Sequence, residues 1–202
     1  MNFHFSNVLL SLLFAFLLSQ YTIYGQNKNQ AVISGNLFLN DSWDSIIYLS
    51  YIPTYDDMYL MSNDMIISKT SIDRHGNFEF VLNFLPPEER LFRLHIIKEG
   101  DSSATIIIGG RNENHLFIIA NRFSNIKIST TFSYPPFKNI TFKNSPVNIA
   151  QQKIRNIVFK ADSSFSESSP AKRTLIEKNI EKDLLTIADT SGFFTVSLYA
   201  KY

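Results

Sequence analysis

The chain has 202 residues, with 19 lysines and arginines against 18 aspartates and glutamates, a formal net charge of +1 and no cysteine. A balance this close to neutral, with both signs interspersed, gives no electrostatic pull toward nucleic acid or an anionic membrane surface. The missing cysteines exclude disulfides, thiolate metal sites, a Cys-x-x-Cys redox pair and a lipid-modified cysteine anchor, so packing and hydrogen bonds must supply the stability.

Val8 to Leu18 is apolar apart from Ser11, and Ser19 to Gly25 becomes more polar ahead of Gln26. A run of this length fits a signal-peptide core of about 7–15 residues better than the about 20 that span a bilayer. Residues 1–25 are therefore expected to be a signal peptide. Its n-region is weakly positive, since Lys28 is the first basic side chain apart from His4, and the alternative is an uncleaved anchor. A cut after Gly25 places a small residue at the cleavage position and opens the mature chain at Gln26. The expected location is the periplasm or cell envelope, with no membrane span after cleavage. The remaining length suits one domain with one principal core.

From Ala31 to Thr131 short apolar runs recur, separated by turn residues every eight to twelve positions or so, the pattern of an all-β sandwich or barrel. Ala31–Leu39 is the first, with Gly35 marking a bulge or a close approach of another segment. Ser45–Tyr51 carries apolar residues on both faces and should be covered on both sides. Met58–Met61 reads as strand or loop, and Ile66–Ile72 as a strand. At Ser71–Phe80 the sequence spells a strand end, a tight turn and a new strand. Asp73 caps the turn, Gly76 supplies a positive φ, and Phe78 and Phe80 alternate with Asn77 and Glu79. This predicts a β-hairpin in a half-buried antiparallel sheet. Pro86-Pro87 then blocks pairing. Leu91–Ile97, Ala104–Ile108, Leu116–Ala120 and Ile126–Thr130 complete an antiparallel β-sandwich of about seven or eight strands.

Beyond Tyr134-Pro135-Pro136 the period changes to that of a helix. Ser145-Pro146 opens it, and Val147, Ala150, Ile154, Ile157, Val158 and Ala161 share one face. Asp162–Pro170 is a serine-rich link. Ile176, Ile180, Leu184 and Ile187 mark a second helix, and Thr190 or Ser191 would cap a third containing Phe193, Val196, Leu198 and Tyr199. The expected division is residues 26–134 as the β-sandwich domain and 135–202 as a helical extension or linker.

No constellation of catalytic groups emerges. His75, His95 and His115 fall on a turn, a strand face and a loop edge, which does not converge into a zinc site. Asp56 and Asp57, flanked by Tyr55 and Tyr59, could form a sugar or calcium rim but suit an ordinary solvated loop better. The serines lack a G-x-S-x-G elbow, and Gly109-Gly110 lacks the Lys-Ser/Thr of a phosphate loop. No cofactor is expected. Trp43, Tyr51, Tyr55 and Tyr59 are the candidate binding aromatics.

Ile33-Ser34-Gly35, Asp73-x-x-Gly76-x-Phe78-x-Phe80, Leu91-Phe92-Arg93-Leu94, and Asn114–Ala120 followed by Ile126–Ser129 resemble an exported bacterial domain of unassigned role. In that family the domain stands in front of a thioredoxin-like thiol-disulfide reductase module. Ile187-Ala188-Asp189-Thr190 and Val196–Ala200 are similar to the helical linker between the two parts. Carboxypeptidase-regulatory-like β-sandwiches share the Gly-x-Phe element. The reductase's Trp-Cys-x-x-Cys has no counterpart here, so no catalytic residue carries over. The resemblance implies a non-catalytic accessory domain, a stand-alone remnant or a truncated reading frame, that positions or docks a thioredoxin-like module. The alternative is an envelope-associated binding module for a sugar, peptide or protein partner.

Overall fold

The computed structural model of the chain describes residues 30–108, 113–130, 136–137, 139–165 and 168–201. The expected signal peptide, its cleavage point, Gly109-Gly110 and Tyr134-Pro135 lie outside the described residues.

Eight strands are present among the described residues: β1 (Ala31–Asn36), β2 (Trp43–Tyr51), β3 (Ile66–Ser71), β4 (Asn77–Leu82), β5 (Arg90–Lys98), β6 (His115–Ala120), β7 (Asn125–Thr130) and β8 (Ile140–Lys143). They form two four-stranded sheets, ordered β4-β1-β7-β8 and β3-β2-β5-β6. Strand alternation does the sorting. In β4, Phe78, Phe80 and Leu82 are buried while Asn77, Glu79 and Val81 are exposed. These phenylalanines join Ile33, Ile126, Ile128 and Phe142 of the first sheet and Ile47, Leu49, Phe92, Leu94, Ile96 and Ile118 of the second in one hydrophobic cluster. Two packed sheets result, each large side chain contributing roughly 1.5–3 kcal/mol by leaving water. Gly35 is where the first sheet closes tightly: a Cβ there would lie 2.6 Å from the Ile128 carbonyl oxygen and 2.8 Å from the Phe78 ring.

Three local expectations are corrected. The Ser71–Phe80 stretch does not form a hairpin, because β3 pairs with β2 in one sheet and β4 pairs with β1 in the other. The turn itself is tight: Asp73 Oδ1 accepts from the backbone N–H of His75 and Asn77, each at 2.8 Å, and Gly76 has φ +83°. It carries the chain from one sheet to the other, since the Gly76 carbonyl accepts from Leu37 N at 2.8 Å and Ile72 N donates to Ser45 O at 2.8 Å. Pairing is also not wholly antiparallel. β1 and β7 run parallel, which is permitted because the intervening chain passes through the second sheet before returning.

The third correction exchanges one strand for another. Ala104–Ile108 is not a strand, because its backbone bonds to side chains: Asn114 Oδ1 accepts from Ile107 N at 2.7 Å and Asn114 Nδ2 donates to Thr105 O at 3.0 Å. The strand it was expected to supply comes from Ile140–Lys143. That strand lies inside the stretch expected to be helical, with Ile140 and Phe142 buried and Thr141 and Lys143 exposed.

The helices are α1 (Pro146–Phe165), α2 (Pro170–Thr190) and α3 (Phe194–Tyr199). Helix α1 runs into the expected serine-rich link. It docks on the edge strand β6 through Asn148, whose side chain accepts from Ile119 N and donates to Ile119 O, both at 2.8 Å, as a neighbouring strand would. A second cluster forms there: Leu91, Phe117 and Ile119 from the sheet meet Val147, Ile154, Ala188, Val196 and Ala200 from the helical part. This is why β6 is buried along its whole length, one face against the first sheet and the other under helices. Helix α2 is mostly exposed, with Ala188 its buried residue. No helix of the described residues is long and apolar enough to cross a membrane.

Candidate functional site

The apolar face of α1 does not seat flush on the sheet. Between α1, β6 and β8 a cleft of about 220 Å³ remains, and Tyr199 of α3 and Tyr59 also line it. Its walls include Phe117, Ile140, Phe142, Ile154, Val158 and Phe159. Phe117 is edge-on to three neighbouring rings, at 5.1 Å from His115 and 6.1 Å from both Tyr59 and Tyr199. Tyr59, Ile108 and Val158 are at least 44% exposed, so apolar surface rims the mouth.

Polar groups converge on the floor. Glu113 Oε2 lies 3.6 Å from Arg155 Nη2, and Glu113 Oε1 lies 3.9 Å from His115 Nε2. Arg155 is held from two further sides, donating to the Phe137 carbonyl at 2.5 Å and lying 4.8 Å over the Phe159 ring. Burial pushes the Arg155 pKa down, while the Glu113 carboxylate and Tyr199 act the other way. His115 is 3% exposed, and burial, with the Arg93 charge, lowers its pKa to about 4. It is therefore neutral at pH 7. Its Nδ1 faces the Ile107 carbonyl at 3.2 Å and must carry the proton, which leaves a lone pair on Nε2. Burial drives the Tyr199 pKa upward, so its phenol stays protonated.

Beside the cleft runs a row of polar side chains that the separate strands do not reveal. Tyr48, His95 and His115 are successive cross-strand neighbours on β2, β5 and β6. Tyr48 stacks on His95 with ring centroids 5.0 Å apart. His95 Nε2 donates to the Ser103 carbonyl at 2.8 Å, and burial lowers its pKa to about 4. Arg93 is fully buried next to them and reaches outward to the Met58 and Leu60 carbonyls at 3.3 and 2.8 Å. Burial lowers its pKa to about 10. The two histidines are thus adjacent, where the sequence had them scattered; His75 alone stays apart, on the exposed turn. Among the described residues no group of three His, Cys, Asp or Glu is placed to hold a metal.

The four candidate aromatics do not form one surface. Trp43 is 6% exposed and lies with Tyr51 against the core between the sheets, at the opposite end of the same strand. Tyr55 packs with the helices and donates its hydroxyl to the Thr195 carbonyl at 3.0 Å. Tyr59 is the member that reaches the cleft. The Asp56-Asp57 pair sits in a 3₁₀ turn, Tyr55–Tyr59, where Asp57 accepts from the Thr54 hydroxyl at 2.7 Å and so closes the turn's own cap. Sequence reasoning missed Glu113, Gln151 and Arg155. The signal for the latter two was their position on the helical face next to Ala150 and Ile154, one turn from the apolar stripe.

Comparison of the chain with protein-family models, with curated proteins and with solved structures finds no match.

Proposed function

We propose that this chain is an exported, non-catalytic β-sandwich whose helices close a cleft for a small ligand, a binding module of the cell envelope. The observation that carries the reading is the construction of the cleft: an apolar rim over a few convergent polar groups, the usual anatomy of a ligand pocket. Helices α1 and α3 supply its wall and are packed on the sheet through their own core, as a binding module requires. The test is a fragment titration of the mature chain followed by amide chemical shifts. Shifts confined to cleft residues support the reading, and their absence across neutral, acidic and basic fragments overturns it. Export is tested separately, by intact mass of protein secreted from its host: a mature chain opening at Gln26 supports it, and a retained Met1 sinks it.

A second reading is the accessory domain of a thioredoxin-like reductase, as the sequence resemblance implies. It is favoured by apolar surface on the helical part, where Phe194 is 78%, Leu175 59% and Leu185 48% exposed. A reductase module docked there would cover it. In either reading the chain itself performs no thiol-disulfide exchange, which needs a thiolate nucleophile. Reduction of insulin by the pure protein would overturn both.

A further inference from the structure

We propose that the cleft under α1 takes one uncharged aromatic group bearing a hydroxyl or N–H donor, the phenol and indole class, with His115 Nε2 accepting from that donor. The inference rests on the binding-module reading above and adds the chemistry of what is bound.

Size comes first. An apolar cavity of about 150 Å³ accommodates benzene, so a cleft of 220 Å³ has room for a ring and one substituent. The ring would lie among Tyr59, Phe117 and Tyr199, where Phe117 meets each tyrosine edge-on and aromatic surface is left to pack against.

Charge decides the class. Glu113 and Arg155 are 13% and 15% exposed and lie 3.6 Å apart, so the floor holds both signs and no net charge. An ammonium entering there would meet Arg155 and a carboxylate would meet Glu113, each after losing its hydration. A neutral group avoids both costs. Hydrogen-bond polarity then selects the substituent: His115 has committed its proton to the Ile107 carbonyl, so Nε2 offers a lone pair beside the cleft. A donor satisfies it, and a purely apolar ring would bury it unpaired.

The experiment is an NMR titration of the mature chain with p-cresol, toluene, benzylamine and benzoate, read on amides and on the His115 ring nitrogens. The expected result is that p-cresol binds about tenfold more tightly than toluene, the worth of one hydrogen bond. It should shift His115 Nε2, and it should outcompete both ions. Val158→Trp, on the exposed rim of α1, should keep the amide spectrum of a folded chain and abolish binding. Equal affinity for p-cresol and toluene, or preference for benzylamine or benzoate, overturns this proposal and leaves the binding-module reading standing. Binding unaffected by Val158→Trp overturns the proposal by placing the site elsewhere. No response to any of the four overturns both.

Discussion

His95 and His115 stand directly opposite each other on β5 and β6 and hold the same loop, one through the Ser103 carbonyl and the other through the Ile107 carbonyl. Each ring is buried in its neutral form, with Arg93, Arg155, Glu113 and Tyr48 as the ionisable groups around them. Both folded-state pKa values lie near 4, below the ordinary 6.5. The unfolded chain therefore takes up protons first as pH falls. The stabilisation is fully present above about pH 6.5 and is lost progressively down to about pH 4, by on the order of 3 kcal/mol for a single ring. Adjacent rings titrate as a pair. Urea midpoints measured from pH 7.5 to 4 should fall steeply, and His95→Gln should flatten the fall. A midpoint independent of pH would mean the rings are not buried neutral.

Gly76 sits where a side chain cannot. At φ +83° a Cβ would lie 2.2 Å from the Leu37 carbonyl oxygen, which is backbone and cannot move aside without shifting β1. Gly76→Val should cost at least about 2 kcal/mol, combining left-handed strain with the clash. Asp73→Ala removes the acceptor for His75 and Asn77 in an exposed turn and should cost less. Chemical denaturation of the two variants would show the order, and a Gly76→Val protein as stable as its parent would contradict the geometry.

The strands were legible because a period of two survives wherever one face meets a core, as in Asn77–Leu82. What failed was partner choice. The Asp73–Gly76 turn has the same chemistry whether the chain folds back on its own sheet or crosses to the other, and only the tertiary pairing of β4 with β1 decides. Ala104–Ile108 failed for a related reason, since an apolar run reads as a strand even when side chains of Asn114 satisfy its backbone. The cleft was least legible of all. It joins residues from a 3₁₀ turn, a loop, two strands and two helices, and His95 looks like an outward polar position until the loop carrying Ser103 closes over it.

Asn148 offers a direct test of how the helices are fastened. Its amide takes both hydrogen-bonding groups of Ile119 at a position with no exposed surface. Asn148→Leu keeps the volume and leaves a buried N–H and a buried carbonyl unpaired, a cost of about 2–4 kcal/mol at about 1–3 per group less what repacking recovers. The loss should appear in urea unfolding, and the amide of Ile119 should lose its exchange protection. A variant within a few tenths of a kcal/mol of the parent would show that α1 is held by apolar packing alone.

The last prediction concerns the helical part as a whole. If it were a loosely attached linker, amides from Asn144 to Lys201 would exchange quickly and protease would leave a resistant core ending near Phe142. The packing argues otherwise, and unevenly. Helix α3 has six residues, too few to persist alone in water, yet Val196 is fully buried and Ala200 is 5% exposed. Its stability is therefore tertiary, and its amides should exchange only with the sheet beneath. Helix α1 has Val147, Asn148, Gln151 and Ile154 buried in its first half, so protection should be strong there and weaken toward Phe165. Helix α2 buries one alanine, and its middle should exchange fastest of the three. Hydrogen exchange read by mass spectrometry should give that order: the start of α1 and α3 protected with β6, the middle of α2 open. Val196→Asp should then convert α3 and the start of α1 to fast exchange together, because both rest on the same cluster around Phe117 and Ile119. Fast exchange in α1 and α3 of the unmodified chain would return the helices to the status of a linker and weaken the case for a cleft.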